Sequence, residues 1–233
     1  MKMKELLKKI CFGNTKEDEE RKKIQVISHL LLRTYIGAIG ILLPVIIVIV
    51  DISNNKAFLI QDSISDYYQT SARVVFVGAL FVLGFFLLAY RGYTLFDRII
   101  ASIAGVFALG VAVFPSHYSV RIVENIHFIS AVLLFLVFVY FSMCIFRRGK
   151  DRSLRSVQKN RRNRIYFFCG IAILICLGGC GLAFCFLTEE QRSLCKIIFI
   201  FETLVLWAFG ISWLTKGKLL WQMLRFHYLQ KPK

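Results

Sequence analysis

The sequence has no long polar stretch: between its apolar runs, no connection is long enough for a separate soluble domain. It is also poor in acid, with 14 Asp and Glu against 30 Lys and Arg. The local spacings that lock catalytic or metal-binding groups onto one face are missing too, because there is no HExxH, HxxxH, GxSxG or C-x-x-C. A helix-borne zinc site, a nucleophile elbow and a dithiol metal site are therefore not declared by any motif. Seven cysteines are present but do not form the framework of a secreted disulfide protein. Cys144, Cys169, Cys176, Cys180 and Cys185 fall in or at the ends of apolar runs, where a free thiol behaves as a small apolar group. Cys169, Cys176 and Cys180 share one helix face, but no second Cys/His cluster completes a four-coordinate zinc site, so packing is their expected use.

What the chain has in abundance is apolar surface. Its 233 residues are 57% hydrophobic, with a mean hydropathy of +0.63. Apolar runs lie at 34–52, 74–90, 97–114, 127–146, 165–187 and 197–215, each close to the ~20 residues that cross a ~30 Å hydrocarbon layer. The expected fold is an all-α integral membrane protein, a six-transmembrane-helix bundle with interfacial N- and C-terminal helical extensions. The expected division is a basic, amphipathic N-terminal segment (1–33), a transmembrane domain (34–215) and an interfacial tail (216–233). The start of the chain is charged throughout and shows no small-x-small cleavage site, so the first run is expected to stay as a signal-anchor. The small residues Ala101, Ala104, Gly105, Ala108 and Ala112 recur on one face of run three, which marks it as the expected most-buried helix. In run five, "CLGGCG" offers either tight packing or a kink.

The formal charge of +16 raises the question of nucleic acid, and its distribution answers it. All 30 Lys and Arg except Lys56, Arg73, Arg121, Arg192 and Lys196 lie before run one, after run two, after run four or after run six. That strict alternation is the positive-inside pattern, and it places both termini in the cytoplasm. The most basic connection, "RRGKDRSLRSVQKNRRNR", contains no aromatic residue to stack on bases. Membrane lipids are the expected partners, nucleic acid is not, and a homo-oligomer is left open. The expected location is the cell inner membrane, multi-pass.

Polar residues cluster at the opposite ends of the runs. The stretch "SISDYYQTSAR" before run two supplies Ser65, Asp66, Tyr67, Tyr68 and Arg73; His117 follows run three, and Glu124 and His127 open run four. Glu202 lies six residues past Lys196, about 9 Å into run six at 1.5 Å per residue. A carboxylate at that depth is costly and by default faces the bundle interior with a partner, for which Arg73 and His127 are the candidates. His127 shares a stripe with Ser130, Ala131 and Leu134 and is expected to point inward. Ser65 or Asp66 could cap the helix of run two, and the tyrosines stand where an aromatic belt would anchor.

These residues predict a polar pocket that binds a lipid head group or small ligand without catalysis and without a cofactor. Two alternatives are kept. One is a metal-dependent lipid hydrolase, with zinc held by Asp66, His117 and His127 and with Ser65 at the site. The other is an oligomeric pore or membrane-disrupting effector. A Ser65–His127–Asp66 triad is conceivable, although adjacent Ser65 and Asp66 are awkwardly placed for the two ends of one imidazole.

The stretches "SISDYY", "FVGALFVLGFFLLAYRGY", "IAGVFALGVAVFP", "IHFISAVLLF" and "ETLVLWAFGISWLTKG" together resemble a bacterial six-span membrane protein family of unassigned function. That family is similar in layout to the DRAM/FRAG/SFK type of multispan proteins. The resemblance covers residues 30–217 and implies a six-helix bundle with an external polar loop before span two, linked to lipid organisation or trafficking. A weaker likeness is to the ceramidase and progestin-receptor group of membrane hydrolases, whose site resembles what Ser65, Asp66 and His127 offer. This sequence departs from that group in having six runs rather than seven and no HxxxH in the last.

Overall fold

The computed structural model describes the backbone of residues 15–55, 60–92, 94–117, 119–148 and 157–217, and their side chains except those of 15–29 and 55. The described residues form seven α-helices and no strand: α1 (Thr15–Asn55), α2 (Arg73–Ala89), α3 (Leu95–Val113), α4 (Arg121–Tyr140), α5 (Val157–Phe186), α6 (Glu189–Cys195) and α7 (Ile197–Gly217). A 3-10 turn, Ser65–Gln69, precedes α2, and a π turn, Phe141–Ile145, ends α4. Five helices are long and apolar enough to cross a membrane, with mean hydropathies between 1.8 and 2.6. The sixth apolar helix, α2, has 17 residues, the lower edge of what spans a bilayer.

α1 extends well ahead of its apolar run. Residues 21–35, expected as an interfacial helix leading into the first apolar run, belong to the same unbroken helix as that run. Nothing between Thr15 and Ile36 is a Gly or Pro that would end it. The tail from residue 218 onward, expected as a second interfacial helix, lies outside the described residues, as do residues 1–14.

The helices alternate in direction. α1 packs on α7 and α2, α2 on α3, α3 on α4, α4 on α5, and α5 on α7. Two crossings bring glycines face to face. A Cβ on Gly210 would lie 2.7 Å from the Gly37 carbonyl oxygen, and one on Gly105 would lie 2.8 Å from that of Gly84. Contact this close is how helices associate where lipid supplies no hydrophobic drive. The small face of α3, Ala101 to Ala112, is indeed buried. The most buried helix is nevertheless α7, with 44% of its apolar window covered against 39% for α3, because α1 and α5 flank it on two sides. In α5, Gly179 takes the packing option, since a Cβ there would meet the Phe201 ring at 2.7 Å. Near the basic end the core is aromatic: Tyr90, Phe141, Phe146 and Trp213 interleave with centroids between 5.1 and 5.9 Å.

Candidate functional site

The two ends of the bundle differ, and the sequence-predicted residues gather at the end carrying the 60–72 loop. Ser63 and Asp66 clasp the 3-10 turn between them: the Ser63 N–H donates to Asp66 Oδ2 (2.8 Å) and the Asp66 N–H donates to Ser63 Oγ (3.2 Å). This reciprocal pair uses Asp66 to close the turn rather than to cap α2. The N-cap of α2 is Ala72, with no side-chain cap, so the expected capping by Ser65 or Asp66 is not what the chain does.

The α3–α4 connection is fastened onto this loop. Asp66 Oδ1 lies 2.9 Å from His117 Nε2, and His117 Nδ1 is 4.0 Å from Glu124. The Ser116 hydroxyl donates to the Ser65 carbonyl (3.0 Å), and Gln69 donates to the His117 carbonyl (3.1 Å).

His127 sits beneath them, 3% exposed. Its Nδ1 is 2.6 Å from the Phe114 carbonyl and its Nε2 is 3.1 Å from Ser65 Oγ. A carbonyl can only accept, so Nδ1 carries the proton; in the neutral ring Nε2 is then a lone pair facing the Ser65 hydroxyl. Phe114 is the C-cap of α3, a place where carbonyls lack helical partners.

Glu202 takes neither expected partner. Its Oε2 accepts from the Ile64 N–H at 2.6 Å. Arg73 instead donates to the Tyr68 hydroxyl (3.2 Å) with its guanidinium 4.5 Å over that ring, and His127 is committed to Ser65 and Phe114. Among the described residues Glu202 Oε1 has no hydrogen-bond partner. The tyrosines also depart from expectation. Tyr67 and Tyr68 are buried in the core rather than facing an interface, with Tyr67 packed 6.1 Å from Phe199. Burial, together with the nearby Asp51 and Asp66 charges, pushes the Tyr67 phenol up, against a smaller opposing effect of the Gln61 N–H, so it stays protonated.

Ile64, Ser65, Leu83, Val111, Phe138 and Glu202 help line a cavity of about 40 Å³, measured as the space open to the centre of a water molecule. One water needs ~10–15 Å³ on that scale. Ser65 and Glu202 are its polar lining; the rest is aliphatic and aromatic.

Two acids were missed by sequence reasoning. Asp51, at the end of α1, accepts from Ser71 Oγ (3.0 Å) and Gln61 Nε2 (3.3 Å). Asp62 accepts from Lys196 Nζ (2.5 Å) and Ser193 Oγ (3.0 Å), and its carbonyl accepts from the Phe199 N–H. Burial raises the Asp62 carboxyl, but the Lys196 and Ser193 hydrogen bonds and the Lys196 charge together outweigh it and hold the group below its usual value. A lone acid closing an apolar run, as in "VIVDISNN", was the available signal for Asp51. Asp62 had none.

The metal set of the hydrolase alternative is not assembled among the described residues. Asp66 reaches His117, whereas His127 turns away to Ser65 and Phe114, and no group of three His, Cys, Asp or Glu among the described residues is placed to hold a metal ion. In comparisons with known proteins, no family model matches the chain, and no curated protein or solved structure matches it.

Proposed function

We propose that the chain is a six-span inner-membrane protein, with α2 as the short sixth span and both termini cytoplasmic, whose loop-end cavity binds the polar head of an amphiphile. The topology is supported by the alternation of Lys and Arg and by the α2–α3 hairpin. The single observation that carries the binding reading is Glu202: one carboxylate oxygen is anchored by a backbone N–H and the other has no partner among the described residues, in a cavity otherwise lined by Ser65 and apolar side chains. A carboxylate held in this way favours a head group that brings hydrogen-bond donors, above all an amine, on an apolar tail.

Thermal unfolding of the detergent-purified chain tests this. Dodecylamine is expected to raise the midpoint and dodecanol is not, and Glu202→Gln is expected to lose the dodecylamine response. Equal responses to the two alcohol and amine probes, or an unchanged response in Glu202→Gln, would sink the reading.

A second reading rests on the Ser65–His127 geometry. With Phe114 fixing the tautomer, His127 Nε2 is placed to take the Ser65 proton as Oγ attacks an ester carbonyl, then to return it to the departing alkoxide; water would release the acyl-serine. This carries the hydrolase alternative forward without a metal. Labelling by a fluorophosphonate that disappears in Ser65→Ala supports it, and absence of labelling in the wild-type chain removes it.

A further inference from the structure

An amphiphile whose head sits at Glu202 has a tail that the cavity cannot hold. The cavity offers about 40 Å³, on a scale where one water needs ~10–15 Å³, which is room for a polar head alone. An alkyl chain on that head has to leave through the cavity wall. Ile39 and Leu43 of α1, two of the residues in that wall, also line a second space. This is a groove of about 360 Å³ on the same scale, and its lining is drawn from α1 and α2 alone. Every lining side chain is apolar except for the hydroxyl of Tyr35.

The second observation concerns how the helices are held. Gly37 and Gly40 of α1 both face α7, and Gly84 of α2 faces α3. Gly110 brings α3 against Ser130 of α4, Gly170 brings α5 against Met143 of the π turn, and Gly179 brings α5 against Phe201 of α7. At the basic end long side chains add further ties. Arg148 meets the buried Asp97 of α3 at 2.5 Å, and Lys159 of α5 and Lys216 of α7 both donate to the Phe146 carbonyl at 3.3 Å. Among the described helices, the α1–α2 seam is the one with no glycine drawing two backbones together; Gly78 of α2 would carry a Cβ into open space. Polar contacts pin this seam at its ends. Ser71 Oγ donates to Asp51 at the loop end (3.0 Å), and Arg33 donates to the Tyr90 hydroxyl at the basic end (3.4 Å). Between the pins, side chains meet side chains, and such a contact can open by rotamer changes where backbones in contact cannot.

We propose that the tail of the bound amphiphile passes between α1 and α2, with Ile39 and Leu43 as the doorway, and lies in the α1–α2 groove. This rests on the head-group reading of the Glu202 cavity. Leu43 is 4% exposed, whereas Leu42 and Ile46 beside it are 50% and 39% exposed, so the doorway stands between the core and the face that a spanning helix turns to lipid. The groove runs from Val75 to Phe86 on α2, about 16 Å at 1.5 Å per residue. One leaflet of a ~30 Å hydrocarbon layer is ~15 Å deep, so the groove suits a single alkyl chain lying along the helices. Tyr35 and Phe86, with ring centroids 6.1 Å apart, close its far end. The ligand class is therefore an amphiphile drawn sideways from the bilayer, rather than a soluble amine entering past the 60–72 loop.

Dodecylamine carrying a diazirine at its chain terminus tests this on the detergent-purified full chain, with photoadducts mapped by mass spectrometry. Adducts that unlabelled dodecylamine competes away are expected at 35–46 of α1 and 75–86 of α2. Ala79→Phe, which fills the groove from a half-buried position, is expected to raise the half-saturating dodecylamine concentration in thermal unfolding at least tenfold. Val74→Phe, on the same helix but outside the groove and 82% exposed in the wild type, is expected to leave it unchanged. Absence of competable adducts from these two stretches, a dodecylamine response that Ala79→Phe keeps, or an equal loss in Val74→Phe overturns the lateral route while the head-group reading stands. A wild-type chain whose midpoint dodecylamine does not raise takes both down.

Discussion

The two ends of this bundle solve the same problem in opposite ways. At the loop end, short side chains (Ser63, Ser65, Asp66, Ser116) bond backbone groups of neighbouring loops, and His127 is tied at both ring nitrogens. At the basic end, long side chains arrive from separate helices, two ammonium groups share one carbonyl, and several buried polar atoms stay orphaned. The first end is held by short bonds to nearby backbone, with one Glu202 oxygen left over; the second is held by long side chains that tie separate helices to shared carbonyls. Short side chains bonded to nearby backbone fix a loop locally, whereas long side chains that reach a shared carbonyl fasten separate helices to one another.

The comparison is broken most severely at Asp97. Replacing it with Ala leaves Arg148 and its cationic neighbours without the buried counter-charge, with an expected cost of about 3 kcal/mol, the low end for a broken buried pair because Arg148 is 41% exposed. Unfolding by denaturant should show this loss. Next is Gly210→Val at the α1–α7 crossing, where even a Cβ would approach the Gly37 carbonyl to 2.7 Å. Overpacking there should cost about 2 kcal/mol, and it should weaken both ends alike, unlike the polar variants. Ser65→Ala is smaller, about 1 kcal/mol, the cost of leaving His127 Nε2 without its hydroxyl. It should be confined to the loop end, so its cost should add to that of Asp97→Ala in the double variant.

The smallest expected effect is at Asp62, about half exposed beside Lys196. Its folded pKa lies below the unfolded value of 3.8, so its contribution is complete above that pH and is lost as the pH falls through the folded value. Asp62→Asn should therefore lower stability slightly at neutral pH, by well under ~1 kcal/mol given solvent screening, and should flatten the decline below pH 4 in a melting-point series.

The helices were legible because apolar runs of bilayer length leave few alternatives, and the runs at 97–114 and 197–215 match α3 and α7 to within about two residues, the usual disagreement at helix ends. The gathering of Ser65, Asp66, His117, His127 and Glu202 at one end was legible as well, since each lies at the same end of its run. Their pairings were not. Glu202 meets a backbone N–H, His127 meets a backbone carbonyl and Asp66 closes a turn, and backbone partners leave no mark in a side-chain pattern. Tyr67 and Tyr68 were misplaced for a related reason: aromatic residues beside an apolar run suit an interface and a core equally. The basic end was read only as topology, because the same lysine that marks a cytoplasmic loop looks identical in sequence when, like Lys216, it is folded under the bundle.

The π turn at Phe141–Ile145 has a consequence for how such a chain can change. Its Phe146 N–H reaches back to the Phe141 carbonyl, one residue further than an α-helix allows. Phe141 and Ser142, and then Ile145 and Phe146, are each buried as adjacent pairs. The turn therefore works as a phase shift in the chain: ahead of it His127, Ser130, Leu134 and Phe138 keep helical time, and after it Phe146 arrives early enough to offer its carbonyl to two lysines. Substitutions can alter the notes on either side, but only a change in length can restore the beat.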